Sequence, residues 1–581
     1  MPRRVTWSER KARWQNRWHA RRAARARPPT GFVAQPEPRT IGRLVKGRQL
    51  VAGKVLLAGH LVDLRERSVW DIAAPTPTFA EQLHGFGWMD DLAALGDRAA
   101  RDTAQEWTYE WIERYAGGSG VGWTPDLAGR RIIRWINHSA LLLDGQNRSN
   151  SEAFTLSLAQ QTLFLGKRWS AAAPGLPRVE ALTGLIYAGL SLNGMDGMID
   201  QAAAGLGREC DAQVDAGGGV ATRSPEDLLE VFTLLNWAAL ALAETGRNVR
   251  PALAAAIERI APTLRALRHA DGGLARFHGG GRGAEGRLDL ALAMSGIKAT
   301  AGAGLAMGYA RLHGGRTSLV MDAALPPQGA ASRNAHASTL ALEVTSGRRP
   351  LIVNCGSGAE FGGTWQKAGR ATPSHSVLGI DGVSSSLLRR GAQAQLAGGP
   401  REVHAQALAG EGLTGVVAGH DGYAASHGLS YLRRIEMATD GRMIFGEETL
   451  AAVSDAEQAQ FRAALAGFGN GREGIPFSLR FHLHPDVDAS VDMGGTAVSL
   501  ALKSGEIWVL RYEGRFRLSL SASVYLEKGR LEPRAAKQVV LSGVAIDYAT
   551  RIRWSLAKAQ DTPVGLRDLV MDEPGGLADE S

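Results

Sequence analysis

Between about residues 80 and 312, apolar positions recur every three to four residues, which is the period of helices with one buried stripe. The stretch "DDLAALGDRAARDTAQEWTYEWIERYAG" keeps that period up to Gly117-Gly118. "LAGRRIIRWINHSALLL", "SEAFTLSLAQQTLFLGKRW", "VEALTGLIYAGLSLNG" and "MDGMIDQAAAGLGRECDAQV" repeat it. "SPEDLLEVFTLLNWAALALAETG" opens with Ser224 as N-cap and Pro225 in the first turn. Short Gly-rich links separate the units, so the pattern predicts helical hairpins packed side by side, as in an α/α toroid.

Beyond "GYARLHGGRTSLVMDAALPP" the period changes to two. Short alternating segments such as "TLALEVTSG", "PLIVNCG", "FSLRFHLHP", "RLSLSASVYL" and "TRIRWSLAK" are divided by Asp-Gly and Ser-Gly turns. Many strands without intervening helices predict a large antiparallel β-sandwich. The expected organisation is a basic N-terminal tail over 1–40, an incomplete α/α toroid over 41–314, a β-sandwich over 315–560 and a mobile tail over 561–581. In "SRNAHASTLALEVTSGRRPLIVNCGSG", residues 332–358, Leu340, Leu342 and Val344 alternate with Thr339, Ala341 and Glu343. Extending the alternation backwards places His336 on the inward face. A polar ring there needs a partner: a carbonyl, a metal or a substrate.

The 581 residues exceed what one core can organise, and the 44% hydrophobic content is that of an ordinary globular protein. Cys210 and Cys355 are too far apart in sequence to imply a disulfide framework. The net charge of +8 is concentrated in the first 30 residues, where Glu9 is the only acid and Trp7, Trp14 and Trp18 fall partly on one side of a helix. That segment reads either as a solvated basic tail or as a helix lying on anionic lipid or polyanionic glycan. No nucleic-acid motif accompanies the charge, no apolar signal-peptide core precedes it, and no run reaches the ~18 apolar residues of a membrane span. The Gly-Gly-Gly runs at 217–219 and 279–281 lack a phosphate-loop frame.

The order "GYARLHGGRTSLVMDAALPP", "AHASTLALEVTSGRRPLIVNCGSG", "WQKAGRATPSHSVLGIDGVSSS" resembles the C-terminal domain of the heparinase II/III family of polysaccharide lyases. "LHGFGWMDDLAALGDRAARDTAQEWTYEWI" is similar to the helical opening of a bacterial subgroup. The resemblance implies a toroid followed by a sandwich, β-elimination on acidic, uronate-containing glycans, and a cell-envelope or periplasmic setting, with the cytoplasm as the alternative. Such a lyase must neutralise the uronate carboxylate, remove the α proton with a base and protonate the leaving oxygen.

The family's helical domain places an Asn or His, then a Tyr-His pair, at the cleft. Here those positions read Pro177-Arg178 and Asp227-Leu228, although the frame Arg223-Ser224-Pro225 is kept. Arg178 and Arg223 are therefore the candidate neutralisers, with His336 as the candidate base. His278, on a loop at the expected rim, and Arg370 are candidates for holding substrate. Relatives with a structural zinc bind it through two histidines and an aspartate; His336, His375 and Asn354 match those positions, and Asn334 stands where a further histidine is expected. The alternatives are a hydrogen-bonded His336–His375 pair, an Asn354 amide capping a turn, and surface ion pairing for Arg370. Tyr187 and Tyr309, the other possible bases, lie in apolar helical runs, and His482 and His484 share one strand face. Three functions stay open: a lyase, a catalytically degenerate glycan-binding or envelope protein on the same scaffold, and a hydrolase using Glu285 and Asp289.

Overall fold

The structure is a computed structural model that describes residues 7–302, 304–389, 395–467 and 474–562. Most of the expected mobile tail, 563–581, lies outside them. The N-terminal part is helical: α1 (Trp7–Ala24), α2 (Leu44–Val51), α3 (Pro77–His84), α4 (Trp88–Leu95), α5 (Arg98–Tyr115), α6 (Pro125–Asn137), α7 (Ser139–Leu143), α8 (Arg148–Arg168), α9 (Leu176–Ser191), α10 (Ile199–Gln213), α11 (Pro225–Glu244), α12 (Pro251–Ala266) and α13 (Arg287–Ser295). A small hairpin, Lys54–Leu57 with His60–Asp63, follows α2.

Local chemistry sets the helix starts. The Thr76, Asp97, Asn147 and Ser224 side chains each accept a backbone N–H of the first turn, and Pro follows at the first helical positions of α3 and α11. Gly96, in the left-handed region at φ 65°, splits α4 from α5 inside a stretch that reads as one helix. α9 is buried on every side after its first turn and sits centrally in the toroid. It meets α6 almost backbone to backbone, because a Cβ on Gly184 would stand 2.6 Å from the Gly129 Cα.

Within the segment 1–40 expected as a tail, the described residues, from Trp7 on, pack against the helical part. α1 packs on α8 through Asn16, Ala20 and Ala23, and the Arg168 Nε donates to Asn16 Oδ1 at 2.8 Å. An extended strap then runs to residue 43. Val33 N donates to Ser191 O at 2.8 Å, Arg39 pairs with Glu244, Thr40 Oγ1 meets His138 Nε2 at 3.2 Å, and Arg43 N donates to Asp91 Oδ1 at 2.8 Å. The strap thus crosses the C-terminal ends of α9, α11 and α6 in turn.

The C-terminal part is a sandwich of two antiparallel eight-stranded sheets. One runs Val403–Gly410, Leu413–Tyr423, Leu429–Ala438, Met443–Ala451, Ala549–Gln560, Ile507–Glu513, Ala497–Ala501, Asp488–Asp492. The other runs Arg517–Tyr525, Arg534–Ala545, Ile475–Leu483, Arg349–Val353, Leu342–Ser346, Thr317–Asp322, Tyr309–Gly314, with Leu378–Ile380 also on Ile475–Leu483. The strand carrying Leu342 begins later than the alternation suggests. Leu340 adopts φ 66°, a left-handed turn that ends extended geometry, so His336 sits in the loop ahead of the strand. Both faces of Leu342–Ser346 are buried, Glu343 included.

Candidate functional site

The residues singled out by sequence converge at the junction between the last helical loop and the second sheet. His278 lies in the loop after α12, His336 in the loop before Leu342–Ser346, and His375 ahead of Leu378–Ile380. The Gly279 N–H donates to His336 Nε2 at 3.1 Å, and the His336 N–H donates to His278 Nδ1 at 3.1 Å. His336 Nδ1 stands 3.0 Å from His375 Nε2, and His375 Nδ1 2.9 Å from the Ala371 carbonyl. These partners assign the protons. His375 must carry its proton on Nδ1, which donates to Ala371 O. His336 accepts on Nε2, so its proton is on Nδ1 and is donated to His375.

The chain continues through charge. His278 Nε2 lies 3.4 Å from Asp322 Oδ2, and Asp322 Oδ1 pairs with Arg223 Nη2 at 2.6 Å. Arg223 also donates to the carbonyls of Met307, Gly308 and Leu325, and the Tyr309 hydroxyl donates to Arg223 O at 2.6 Å. Tyr309 is a strand residue, not a helical one. Burial pushes the Asp322 carboxyl up, but Arg223 and His278 outweigh it and hold the group down at about 2. Burial lowers His375 to about 4 and also depresses His278 and His336, so all three rings are neutral near pH 7.

Asn354 is committed as well. Its backbone N–H and its Nδ2 both donate to Glu343 Oε1 at 3.2 Å, and its Oδ1 accepts Ser376 N at 3.0 Å. Arg370 donates to the carbonyls of Ala335 and Ser332 at 2.7 and 2.8 Å, pinning the loop that carries His336. Arg178 lies elsewhere, at the start of α9, paired with Glu209 at 3.0 Å. Asp227 occupies the first turn of α11, and Leu228 is fully buried. His482 is buried, its Nδ1 2.7 Å from the Ser523 hydroxyl and its Nε2 2.9 Å from the Pro373 carbonyl. Asp289 pairs with Arg268 on the surface, and Glu285 lies ahead of α13.

Zinc was the cofactor implied for His336, Asn354 and His375. Ligation by His336 would need a bare Nδ1, yet Nε2 already accepts the Gly279 N–H, so Nδ1 holds the ring proton. The Asn354 amide is occupied on both sides, and the described residues contain no group of three His, Cys, Asp or Glu side chains placed to hold a metal. The donor set does not fit zinc, which takes three or four such ligands. What the arrangement does chemically is join the helical part to the sandwich with a dry polar chain; His336 and His375 are 1% and 0% exposed.

Sequence reasoning missed a cavity of about 380 Å³ in the helical part, lined by residues that include Lys46, Trp88, Arg130, Arg134, Glu180 and Glu230. The signal was present: Arg130 and Arg134 sit one turn apart in the amphipathic "GRRIIRWIN", and Glu180 follows Arg178 by two residues on the other side of α9. A smaller groove between the helical part and the sandwich is lined by Arg43, Lys46, Gln49, Glu527, Lys528 and Arg530, among others. α1 presents the third feature. Trp7, Trp14 and Trp18 are 76%, 65% and 46% exposed and form one ridge opposite the docked Asn16, Ala20 and Ala23. Lys11 and Arg22 lie 5.5 Å from the Trp7 and Trp18 rings. Among the described residues no helix is long and apolar enough to cross a membrane.

Comparison with known proteins gives a consistent placement. The profile of the heparinase II/III-like C-terminal domain matches residues 297–555. FtsZ-localized protein C of Caulobacter vibrioides is 30% identical over 543 residues, 92% of this chain and 91% of that protein. The crystal structure of heparinase III superposes with a TM-score of 0.67 at 13% identity, covering 95% of this chain and 91% of that one. Heparan sulfate lyase HepC from Pedobacter heparinus superposes at 0.54, also at 13% identity, over 95% and 89%. With its helical toroid, its antiparallel sandwich and this matched C-terminal domain, the chain belongs to the heparinase II/III family.

Proposed function

We propose that the chain works by binding rather than by uronate elimination, and that α1 is its contact with an anionic membrane surface. The observation that carries this reading is the tryptophan ridge. Three large rings face solvent in line, flanked by Arg10, Lys11, Arg17, Arg21 and Arg22, on a helix whose opposite face is fixed to the protein. Indole rings settle at the headgroup level, and each basic residue near an anionic leaflet adds about 1 kcal/mol. The commitment of His278, His336 and His375 to protein partners, with Asp227 and Leu228 at the Tyr-His positions, supports a silent active site. The 30% relative is named for its localisation with FtsZ, so FtsZ assemblies at that surface are the proposed protein partner.

The test is co-sedimentation with phosphatidylglycerol vesicles. Binding should fall with salt, be weak on phosphatidylcholine, and be lost in Trp7→Ala/Trp14→Ala/Trp18→Ala without loss of fold. Equal binding by that variant would overturn the reading. A second reading, a lyase acting on an acidic glycan, is favoured by the interdomain groove with Arg43, Lys46, Lys528 and Arg530. It requires absorbance from unsaturated uronate on incubation with a panel of uronate glycans; no product across the panel removes it.

A further inference from the structure

The first sheet ends in a strand that the rest of the protein leaves open. Val403–Gly410 pairs with Leu413–Tyr423 over eight residues without a bulge, and among the described residues no strand pairs with its other edge. Tyr309–Gly314, the last strand of the second sheet, lies over Leu413–Tyr423 and Leu429–Ala438. Val403–Gly410 projects past it. Ala405 and Ala407 lie on the side whose cross-strand neighbours, Ala418 and Val416, are buried in the sandwich, yet both are exposed, as are His404 and Gln406 on the opposite side.

Sheet edges are normally protected by charge, proline or a bulge, because every second residue directs its N–H and C=O outward. The other three edges of the sandwich carry charge: Asp488 and Asp492 on one, Arg517 on the next and Arg311 on the last. The edge Val-His-Ala-Gln-Ala-Leu-Ala-Gly contains no Lys, Arg, Asp, Glu or Pro. Charge appears only beyond its ends, with Arg401 and Glu402 before it and Glu411 after it, all exposed. Glu402 lies 3.2 Å from His404, whereas Arg401 and Glu411 make no ion pair among the described residues. An uncharged strand with a cation ahead of it and an anion behind it is complementary to itself run backwards.

We propose that Val403–Gly410 is the interface of a two-fold dimer, its occupant being the same strand of a second copy of this chain. Antiparallel pairing centred on Gln406 joins the two sheets edge to edge and gives the outward N–H and C=O groups their partners. In that register Ala405 stands opposite Ala407 of the second copy, and the two Gln406 amides meet on the two-fold axis, each donating to the other. Arg401 of each copy comes alongside Glu411 of the other, at both ends of the ladder. The small alanines let the strands approach without a clash. This interface is independent of α1 and of the histidine chain.

The experiment is sedimentation velocity of the full chain over a micromolar dilution series. A monomer–dimer equilibrium is expected. Gln406→Lys brings two ammonium groups together on the axis and should raise the dimer Kd by about tenfold or more. Arg401→Glu sets like charges against Glu411 and should raise it by about threefold to tenfold. Arg401→Glu/Glu411→Arg restores opposite charges and should recover most of the affinity. All three positions are exposed, so the melting temperatures should hold. A monomer at every concentration overturns the proposal and leaves the edge to an extended segment of another protein. Undiminished association of folded Gln406→Lys, or loss of association in Trp7→Ala/Trp14→Ala/Trp18→Ala, places the contact elsewhere and overturns it as well. So does failure of the double charge reversal to recover affinity.

Discussion

Nδ1 of His336 lies 3.0 Å from Nε2 of His375, and the two rings are the middle of a chain that runs from the Ala371 carbonyl through His278 to Asp322 and Arg223. Each proton in that chain has one place to be. The helical part contributes Arg223, His278 and Gly279, and the sandwich part contributes the rest, so the chain is a fastening across the domain boundary.

His336→Ala removes an acceptor for Gly279 N and the donor to His375, leaving buried groups unsatisfied. The expected loss is about 2–4 kcal/mol of unfolding free energy. Chelator treatment of the wild-type protein should leave the melting temperature unchanged, because the histidines are satisfied without metal. Denaturant titration and a thermal scan with and without EDTA check both statements.

Acidification should weaken the fold before the carboxylates protonate. Burial depresses His375, His420 and His482 to about 4, below their unfolded value near 6.5. Their neutral forms are favoured in the folded state, so the full stability is present above pH ~6.5 and is lost as pH falls from there towards ~4. Each such histidine costs about 1.4 kcal/mol per pH unit within that window. Denaturant midpoints measured at pH 7.5, 6 and 5 should fall progressively; a flat profile would contradict the burial of these rings.

Arg223→Met strands the Asp322 carboxylate, and Asp322→Asn strands the guanidinium. Each single variant should lose about 3–5 kcal/mol, since breaking a buried pair leaves one charge without compensation. The double variant should lose less than the sum of the two. A double-mutant cycle by chemical denaturation measures the difference.

Gly184→Ala places a methyl group 2.6 Å from the Gly129 Cα and 2.9 Å from its carbonyl oxygen. Helix propensity favours alanine by about 1 kcal/mol, but backbone cannot yield as a side-chain tip can. The net expectation is a loss of about 1–3 kcal/mol, read from the melting temperature.

The helical and strand regions are legible because their periods differ and the change near residue 314 is sharp. The Ser224 cap, with Pro225 behind it, is visible residue by residue. His336 illustrates where the reading stops. Alternation alone extends the strand backwards through Leu340, whereas the φ of 66° there is imposed by tertiary packing: Leu340 N donates to Asp322 O, and Leu340 O accepts from the buried Arg433. The pairing of His336 with His375 follows from resemblance, but the committed state of their remaining nitrogens depends on Gly279 and Ala371, which carry no sequence signal. The cavity escapes notice because α2, α4, α6, α9 and α11 each contribute only a few of its residues. On α9 attention falls on Arg178, while Glu180 points to the other side.

The strap over residues 25–43 bears on how the basic helix should be removed experimentally. A deletion ending at Ala24 takes away the tryptophans and most of the positive charge. One carried to residue 43 also strips the Val33–Ser191 bond, the Arg39–Glu244 pair and the Thr40–His138 contact from three helix ends. Failure of the longer truncation to reach a membrane would confuse a lost anchor with a damaged toroid. The shorter truncation damages the toroid less but still takes the Asn16–Arg168 bond and the α1 packing on α8, so only replacement of the three tryptophans in the intact chain separates the two causes.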